Sequence, residues 1–367
     1  MKVVETARLA RITRCALVAV VCLPALTVSA CWPKPTSLVA PTVTEIYRVH
    51  APLAKGGTAS EPIQVFVSTD MSSDDVVALL YLLKHPDVEV LGIGSSDGVA
   101  HVEAAAENVL RLLAVVGKSD IPVAVGKDGP IDGDHAFPSA WRSGADRLFD
   151  LDVAEAESEL WSGDTAKLLT EVVDAHPGEV TVLLLGAHTD LALALLRAPS
   201  LAERISAVWM MGGAVHVPGN VHAEHSAVAN EVAEWNLWLD PVATAEVFGA
   251  GIPLTVVPLD VTNQVKVTSE ERERFSDAAQ SSAAKAVAQL WRRQSSGGFY
   301  VWDVVAAVAL TTPEAGLWET DALTIETQKP DHLGQTVLLE GEPPNADVCV
   351  GMDAERLHAA LIEVLNR

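Results

Sequence analysis

Apolar positions along most of this chain follow two alternating spacings, one typical of strands and the other of helices. A β-branched and aromatic run that begins at Ile63 predicts a buried strand, and the helical pattern 76–83 follows it closely. Further strands are predicted at 88–93, 121–125, 180–185, 207–211 and 253–257, and further helices at 102–116, 165–175, 190–197, 241–248 and 304–310. Such alternation is typical of a mostly parallel sheet with helices on both faces, so we predict a single-domain α/β fold.

Three carboxylates follow the first predicted strand within six residues, at Asp70, Asp74 and Asp75. The carboxyl ends of parallel strands are where α/β sheets bind their ligands. Like charges this close repel one another unless a cation lies among them, and a hard ion with oxygen ligands, Ca²⁺ or Mg²⁺, is the natural candidate. The alternative is that Asp74 and Asp75 only cap the following helix and interact with its dipole.

Composition narrows the possible functions only slightly. The chain has 367 residues, of which 49% are hydrophobic, and this is ample for a sizeable core. The formal net charge of −24 argues against a nucleic-acid partner, because no basic stripe is available to neutralise phosphates.

The N-terminus has the pattern of a bacterial lipoprotein signal. Four basic residues within 1–14 precede the apolar stretch 15–26, which is too short to span a bilayer. Val28-Ser29-Ala30-Cys31 then resembles a lipobox, whose Cys is acylated after cleavage. We therefore expect an exported protein, anchored by Cys31 at the outer face of the cell membrane; an ordinary cleavage site that happens to precede a Cys is the alternative.

This interpretation divides the chain into three segments. Residues 1–30 are predicted to be the signal peptide, the Pro-, Thr- and Ala-rich 31–62 a flexible tether, and 63–367 the folded domain. Cys349 would then be the one cysteine left besides the acylated Cys31, so no intramolecular disulfide framework is expected.

Several other motifs follow the first carboxylates in a specific order. They are Leu185-Gly186 at the end of a strand, Gly219-Asn220, Glu234-Trp235-Asn236 and Trp302-Asp303 at the start of a helix. With Asp70 and Asp75, this order and spacing resemble the nucleoside hydrolases, the inosine-uridine-preferring superfamily, from about residue 63 to the C-terminus. Phe137-Pro138-x-x-Trp141-Arg142 and the Trp before Asp303 resemble its purine-specific branch.

The resemblance implies a function and a role for each motif. The function is Ca²⁺-dependent hydrolysis of the N-glycosidic bond of purine ribonucleosides to free base and ribose. The implied calcium ligands are Asp70, Asp75, Asp303 and the backbone carbonyl of Leu185, and Asp70 would also take a proton from the attacking water. The implied ribose ligands are Asp74, Asn220, Glu234 and Asn236. Trp141 and Trp302 would stack on the purine and favour its protonation as it leaves.

Departures from the family pattern keep other functions open. Ser68 stands where the family usually has Asp, Met71-Ser72 replaces a Pro-Gly or Gly-Asn pair, Val99 replaces a polar residue near the substrate, and Asp190 replaces Asn. One alternative is therefore a catalytically impaired nucleoside- or riboside-binding lipoprotein of the same fold. Another is an enzyme for a different N-riboside. A homo-oligomer is possible in either case.

Individual candidates also have simpler interpretations. Trp141 and Trp302 could be core aromatics, and Asn220 could only shape a turn. Glu234 and Asn236 alternate around Trp235, which predicts one shared face of an extended segment. The histidines lack zinc-site spacing and are interpreted as surface or loop residues, with His135 and His225 the two that could approach a base; they are His101, His135, His188, His216, His222 and His225.

Overall fold

The computed structural model describes residues 54–295 and 297–367, which belong to the larger compact unit of the chain, Thr44–Arg367. The predicted signal peptide, Cys31 and most of the predicted tether lie outside the described residues. The described end of the tether contains a β-bridge between Thr58 and Glu61, and Lys55 Nζ donates to the Gly178 carbonyl at 3.1 Å. Within the described ranges, no helix is long and apolar enough to cross a membrane.

The centre of the fold is an eight-stranded sheet. The strands of the described chain are β1 (Ile63–Thr69), β2 (Val88–Ser95), β3 (Val123–Ala124), β4 (Thr181–Leu184), β5 (Ala207–Met211), β6 (Leu254–Val257), β7 (Lys266–Val267), β8 (Phe299–Tyr300), β9 (Gly316–Asp321), β10 (Leu323–Ile325), β11 (Thr336–Leu338) and β12 (Ala346–Met352). The order in the sheet is β3-β2-β1-β4-β5-β6-β12-β9, and every neighbouring pair is parallel except β12 with β9. The predicted fold class is confirmed.

Helices cover both faces of this sheet. They are α1 (Ser73–Lys84), α2 (Val102–Val116), α3 (Ser139–Ala145), α4 (Thr165–Ala175), α5 (Thr189–Arg197), α6 (Val221–Glu224), α7 (Trp235–Leu239), α8 (Pro241–Gly249), α9 (Leu259–Thr262), α10 (Ser269–Ala278), α11 (Ser282–Trp291), α12 (Trp302–Thr311) and α13 (Ala354–Leu365). The predicted helices 102–116 and 165–175 agree with α2 and α4 to the residue.

Two hydrophobic layers hold the helices to the sheet, and β1 contributes to both. Val65 and Val67 pack in the layer that contains α1, α2, α11, α12 and α13, whereas Phe66 packs in the layer that contains α4, α5 and α8. Successive side chains of a strand point to opposite faces, so an unbroken apolar run is what a strand buried on both sides requires. This is why the run beginning at Ile63 was readable from the sequence.

The strand order reverses between β1 and β4. The chain moves outward from β1 to β2 and β3 on one side, and from β4 to β5 and β6 on the other. Connections leave the two halves in opposite directions at such a point, which opens a crevice at the carboxyl ends of the two central strands. Asp70 follows β1 and Leu185 follows β4, so both stand at this crevice.

Candidate active site

A cavity of about 710 Å³ lies at the switch point between β1 and β4. Nearly all of the residues that the sequence analysis assigned to the active site line this cavity. Asp70, Asp74, Trp141, Leu185, Asn220, Glu234, Asn236, Trp302 and Asp303 all line it. Asp75 lies underneath, fully buried, and does not line the cavity.

Asp70 is held by backbone N–H groups from two loops. Its Oδ2 accepts from Val99 N at 2.8 Å and its Oδ1 accepts from Ser72 N at 3.2 Å. The loop after β2 lies against the carboxyl so closely that a Cβ on Gly98 would meet Asp70 Oδ2 at 1.9 Å. Val99 therefore acts on Asp70 through its backbone, and this contact does not need the polar side chain that the family usually has there.

Asp75 belongs to the first turn of α1 and is tied to the same loop. Its Oδ1 accepts from Thr69 Oγ1 at 2.5 Å, and its Oδ2 accepts from Ser72 N at 2.9 Å. Ser72 is the N-cap of α1 and forms a capping box with Asp75. Asp75 therefore does take part in capping α1, as the alternative interpretation proposed. The same side chain also lies beneath the cavity.

Asp303 reaches the same cluster from the start of α12. Its backbone N donates to Asp74 Oδ2 at 3.1 Å, and Ser72 Oγ donates to Asp74 Oδ1 at 2.6 Å. Asp303 Oδ1 is buried and has no hydrogen-bond partner among the described residues. Both oxygens of Asp74 are thereby engaged, whereas Asp303 has a buried oxygen free to bind a ligand.

The carboxylates at this point repel one another in a desolvated setting. Burial, followed by the charge of Asp75, raises the pKa of Asp70 well above its usual value. Burial raises the pKa of Asp75 to about 6. Burial, followed by the charges of Asp75, Asp74 and Asp70, likewise raises the pKa of Asp303. Buried oxygen ligands that carry excess negative charge are the donor set that a hard divalent cation stabilises, so these residues fit Ca²⁺.

The Leu185 carbonyl lies at the end of β4, on the cavity wall. It accepts a hydrogen bond from Asn236 Nδ2 at 3.2 Å, and the same amide donates to the Met211 carbonyl at 3.1 Å. Asn236 thus connects the ends of β4 and β5. Because a carbonyl oxygen has two lone pairs, Leu185 can still offer one to a ligand.

The predicted extended segment around Glu234 is wrong. Glu234 is the N-cap of α7, and its carboxylate accepts from the backbone N–H of Asn236, Leu237 and Gly213 at 3.0, 3.3 and 3.1 Å. Period-two alternation over three residues does not separate a strand from a helix cap, and an acidic side chain before a helix is also typical of an N-cap. Burial raises the pKa of Glu234 to about 7.

Asn220 bridges two segments at the cavity wall. Its Oδ1 accepts from Trp235 N at 3.2 Å, and its Nδ2 donates to Glu224 Oε1 at 3.3 Å. The sequence reasoning missed Glu224, which also lines the cavity. Desolvation raises the pKa of Glu224 to about 7. Glu224 lies four residues after Asn220 on the short helix α6, and this spacing was the available signal.

Aromatic side chains form another part of the cavity wall, and Trp141 and Trp302 are both among them. The Trp141 ring lies edge-on to Trp235 at 5.4 Å and tilted against Phe137 at 5.9 Å. Trp302 stacks on Tyr300 at 5.4 Å, and its Nε1 donates to Asn263 Oδ1 at 3.0 Å. Both tryptophans face the cavity without touching each other in the described structure, so neither is a plain core residue.

A strained turn forms another part of the cavity wall, and no local sequence pattern indicates it. Leu148, Phe149 and Asp150 have φ angles of 50°, 52° and 51°, the left-handed region that residues other than Gly seldom adopt. Phe149 and Asp150 line the cavity, and Arg293 from the end of α11 also lines it and donates to the Phe149 carbonyl.

Two departures from the family pattern have visible structural consequences. Met71 adopts φ 56° within the Asp70 loop, where Gly would be unstrained. Its side chain is fully buried, which offsets that strain. Ser68 Oγ is buried and has no hydrogen-bond partner among the described residues, so it does not tether the carboxylates.

Among the described residues, no histidine lines the cavity, and one of those assigned to the surface or to loops is a buried loop residue. His188 is fully buried, not a surface residue, and burial lowers its pKa to about 3. His135 stacks on Trp238 at 4.1 Å, whereas His225 lies edge-on to Trp141 at 6.5 Å. Away from the cavity, His216 Nε2 lies 3.7 and 3.9 Å from Glu319 and Asp321, distances typical of ion pairs.

Comparison with known proteins shows to which family the chain belongs. The sequence profile described as "Inosine-uridine preferring nucleoside hydrolase" matches residues 65–359. The chain belongs to the inosine-uridine preferring nucleoside hydrolase family. The matched region includes every residue assigned above to the carboxylate cluster and the cavity wall.

Nucleoside hydrolases from distant organisms cover most of the chain. Uridine nucleosidase 1 of Arabidopsis thaliana is 29% identical over 284 residues, 75% of this chain and 82% of the relative. A pyrimidine-specific ribonucleoside hydrolase of Shewanella oneidensis is 30% identical over 320 residues, 82% of this chain and 95% of the relative. The solved inosine-uridine preferring nucleoside hydrolase of Bacillus anthracis superposes with a TM-score of 0.75 at 26% identity, covering 83% of this chain and 99% of that one. This membership supports hydrolysis of the N-glycosidic bond of nucleosides.

Proposed function

We propose that this protein is a Ca²⁺-dependent hydrolase that cleaves purine ribonucleosides to free base and ribose. The observation that carries the proposal is the convergence of Asp70, Asp75 and Asp303 at a cavity whose wall also carries Trp141 and Trp302. Carboxylates for a cation and a sugar and flat aromatic side chains for a base therefore belong to the same site.

The ion would be held by Asp70, Asp75, Asp303 and the Leu185 carbonyl. Asp303 supports this assignment most directly, because its buried Oδ1 has no partner in the described part of the chain. When bound, Ca²⁺ would lower the pKa of a coordinated water and neutralise the mutual repulsion of the carboxylates.

Asp70 is the proposed general base. Each of its oxygens accepts one backbone N–H, which leaves a lone pair on each oxygen for the proton of the attacking water. The water attacks the anomeric carbon as the C–N bond breaks. The transition state resembles an oxocarbenium ion, and the surrounding carboxylates stabilise its positive charge.

Four residues of the cavity wall are proposed to bind the ribose hydroxyls: Asp74, Asn220, Glu234 and Asn236. Asp74 is held by Ser72 Oγ and Asp303 N, and Glu234 by the first turn of α7. Acceptors fixed in this way can orient a sugar with little loss of entropy on binding.

The proposed preference for purines rests on the aromatic wall. Trp141 and Trp302 both face the cavity, and a bicyclic base offers more stacking area than a single ring. Stacking is proposed to favour protonation of the departing purine. The second candidate is a pyrimidine preference, which the names of the Arabidopsis and Shewanella relatives favour.

A riboside-binding protein without turnover is the rival function. Two features beside Asp70 support it: Ser68 Oγ in β1 has no hydrogen-bond partner in the described structure, and Met71, directly after Asp70, has a strained backbone. The backbone contacts to Asp70 favour retained hydrolysis instead, since they do not depend on either side chain.

Location is a separate part of the proposal. The lipobox-like sequence ending at Cys31 supports export and anchoring to the outer face of a bacterial membrane, and the acidic chain would then act on extracytoplasmic nucleosides. Mass spectrometry of the purified membrane-associated protein tests this: a diacylated N-terminal Cys31 is expected, and a free N-terminus at another residue contradicts it.

The experiment that tests the reaction uses the purified domain with Ca²⁺ and a panel of inosine, guanosine, adenosine, uridine and cytidine. The release of ribose and base is expected to be fastest for a purine nucleoside. Faster turnover of uridine supports the second candidate, and binding without turnover of any member supports the rival.

A further inference from the structure

A buried ion pair joins the loop that holds Asp70 to the helix that carries Trp141. Arg142 Nη1 donates to Asp97 Oδ1 at 3.0 Å, and Nη2 donates to Asp97 Oδ2 at 3.3 Å. The two side chains are only 7% and 4% exposed. Two parallel hydrogen bonds between planar groups fix both the distance and the orientation of the partners.

The Asp97 side of this pair acts on the proposed base through adjacent backbone. Gly98 packs against the Asp70 carboxyl, Val99 N donates to Asp70 Oδ2 at 2.8 Å, and Ala100 N donates to the Asp70 carbonyl at 2.9 Å. Gly98, Val99 and Ala100 directly follow Asp97 in the chain, so a shift of Asp97 would move all three contacts to Asp70.

The Arg142 side acts on the aromatic wall. Arg142 follows Trp141 directly in α3, a helix of seven residues. The far end of that helix is tied separately, since Asn108 Nδ2 donates to the Ala145 carbonyl at 2.9 Å. The ion pair therefore links the Trp141 turn of the helix to the loop after β2.

We infer that the Asp97–Arg142 pair is a positioning pair, which holds the base-stacking Trp141 in register with Asp70. This inference rests on the proposed function. Neither residue lines the cavity, so neither is a catalytic residue. The pair would make attack on the ribose and stacking of the base depend on one rigid contact.

Arg142→Lys tests the inference, because it keeps the charge and most of the volume but loses the bidentate geometry. Two substrates separate the two ends of the pair: inosine, which needs the stacked wall, and p-nitrophenyl β-ribofuranoside, whose leaving group needs no protonation. Arg142→Lys is expected to lower kcat/KM about tenfold or more for both substrates, with a rise in KM for inosine. Trp141→Phe is expected to affect inosine alone.

Arg197→Lys is the matched control, because Arg197 makes an exposed ion pair with Asp164. It should leave both substrates unaffected. The double variant Asp97→Asn/Arg142→Gln removes both charges together. The factor by which it lowers kcat/KM should be smaller than the product of the factors for the two single variants. All rates are measured well below the melting temperature of each variant.

The inference is overturned if Arg142→Lys matches Arg197→Lys on both substrates, or if it lowers only inosine turnover as Trp141→Phe does. A wild-type protein that turns over neither substrate refutes the proposed function instead. In that case calorimetric binding of inosine decides on the pair: Arg142→Lys should weaken it about tenfold, and affinity equal to that of Arg197→Lys overturns the inference.

Discussion

The backbone N–H of Asp303 donates to Asp74 Oδ2 at 3.1 Å, although the two residues are 229 positions apart in the chain. Helix α12 packs against α1, and this packing brings the N-terminus of α12 to the first turn of α1. Because both helix N-termini point at the carboxylates, their dipoles partly offset the negative charge that has accumulated there. This packing of the two helix N-termini helps to explain how four acidic side chains can be buried close together.

Asp70→Asn should abolish most of the activity while retaining binding. The amide is nearly isosteric but cannot accept a proton from water, so kcat for inosine should fall by about 10²–10⁴-fold. Calorimetry should find an inosine affinity near that of the wild type. Asp120→Asn, at an exposed position, is the control. An unchanged kcat in Asp70→Asn rules out Asp70 as the base.

Asp303→Asn should have opposite effects on the metal-free and calcium-loaded protein. Removing one of the repelling charges is expected to raise the melting temperature after chelation, because burial and neighbouring carboxylates raise the pKa of Asp303. Calcium should stabilise the wild type by about 2.7 kcal/mol at 100 times its Kd, and the variant by much less. Thermal unfolding with EDTA and with CaCl₂ measures both effects. Equal calcium stabilisation of the two proteins excludes Asp303 as a ligand.

Trp141→Ala and Trp302→Ala should reduce purine turnover more than pyrimidine turnover. A stacking contact is worth about 0.5–1.5 kcal/mol beyond burial, which corresponds to roughly two- to tenfold in kcat/KM per tryptophan. Trp318→Phe is the control, since Trp318 is buried against Trp209 and does not line the cavity. If both cavity variants leave the inosine-to-uridine ratio unchanged, the aromatic wall does not set the base preference.

Asp190 should make stability depend on pH in a defined direction. Burial raises its pKa to about 7, and its Oδ2 has no hydrogen-bond partner among the described residues. The folded state therefore binds a proton that the unfolded state has lost between pH 4 and 7, so this contribution is full below about pH 4 and disappears as pH rises through 7. Asp190→Asn should remove this dependence and stabilise the protein at pH 8 by up to about 4 kcal/mol. Denaturant unfolding at pH 5 and 8 tests it, and parallel pH profiles for the two proteins contradict it.

The sequence predicted those parts of the fold that local pattern determines. The strand from Ile63 was predicted because a strand buried on both faces has an unbroken apolar run. Helix α2 was predicted because burial of one helix face leaves apolar residues at helical spacing. Helices α10, α11 and α13 and the strands β9 and β12 were not predicted. In α10 only Phe275 is buried, so its pattern is that of a polar segment.

The candidate site was predictable as far as its residues lie in short motifs at strand and helix ends. Asp70 was found in this way, whereas Asp303 and Trp141 were assigned from the family resemblance; all three line the cavity. Arg293 and Phe149 were not, because they reach the cavity from a helix end and a left-handed turn that no local signal marks. The cap at Glu234 was missed because three residues are too few to separate the two periodicities.

The most direct test of the account is the turnover of inosine by the calcium-loaded protein, with ribose and hypoxanthine quantified before and after chelation. Stoichiometric release of both products, lost with EDTA and restored by CaCl₂, is the predicted result. Turnover that persists unchanged after complete removal of bound divalent ions, or intact inosine in the presence of saturating calcium, would contradict it.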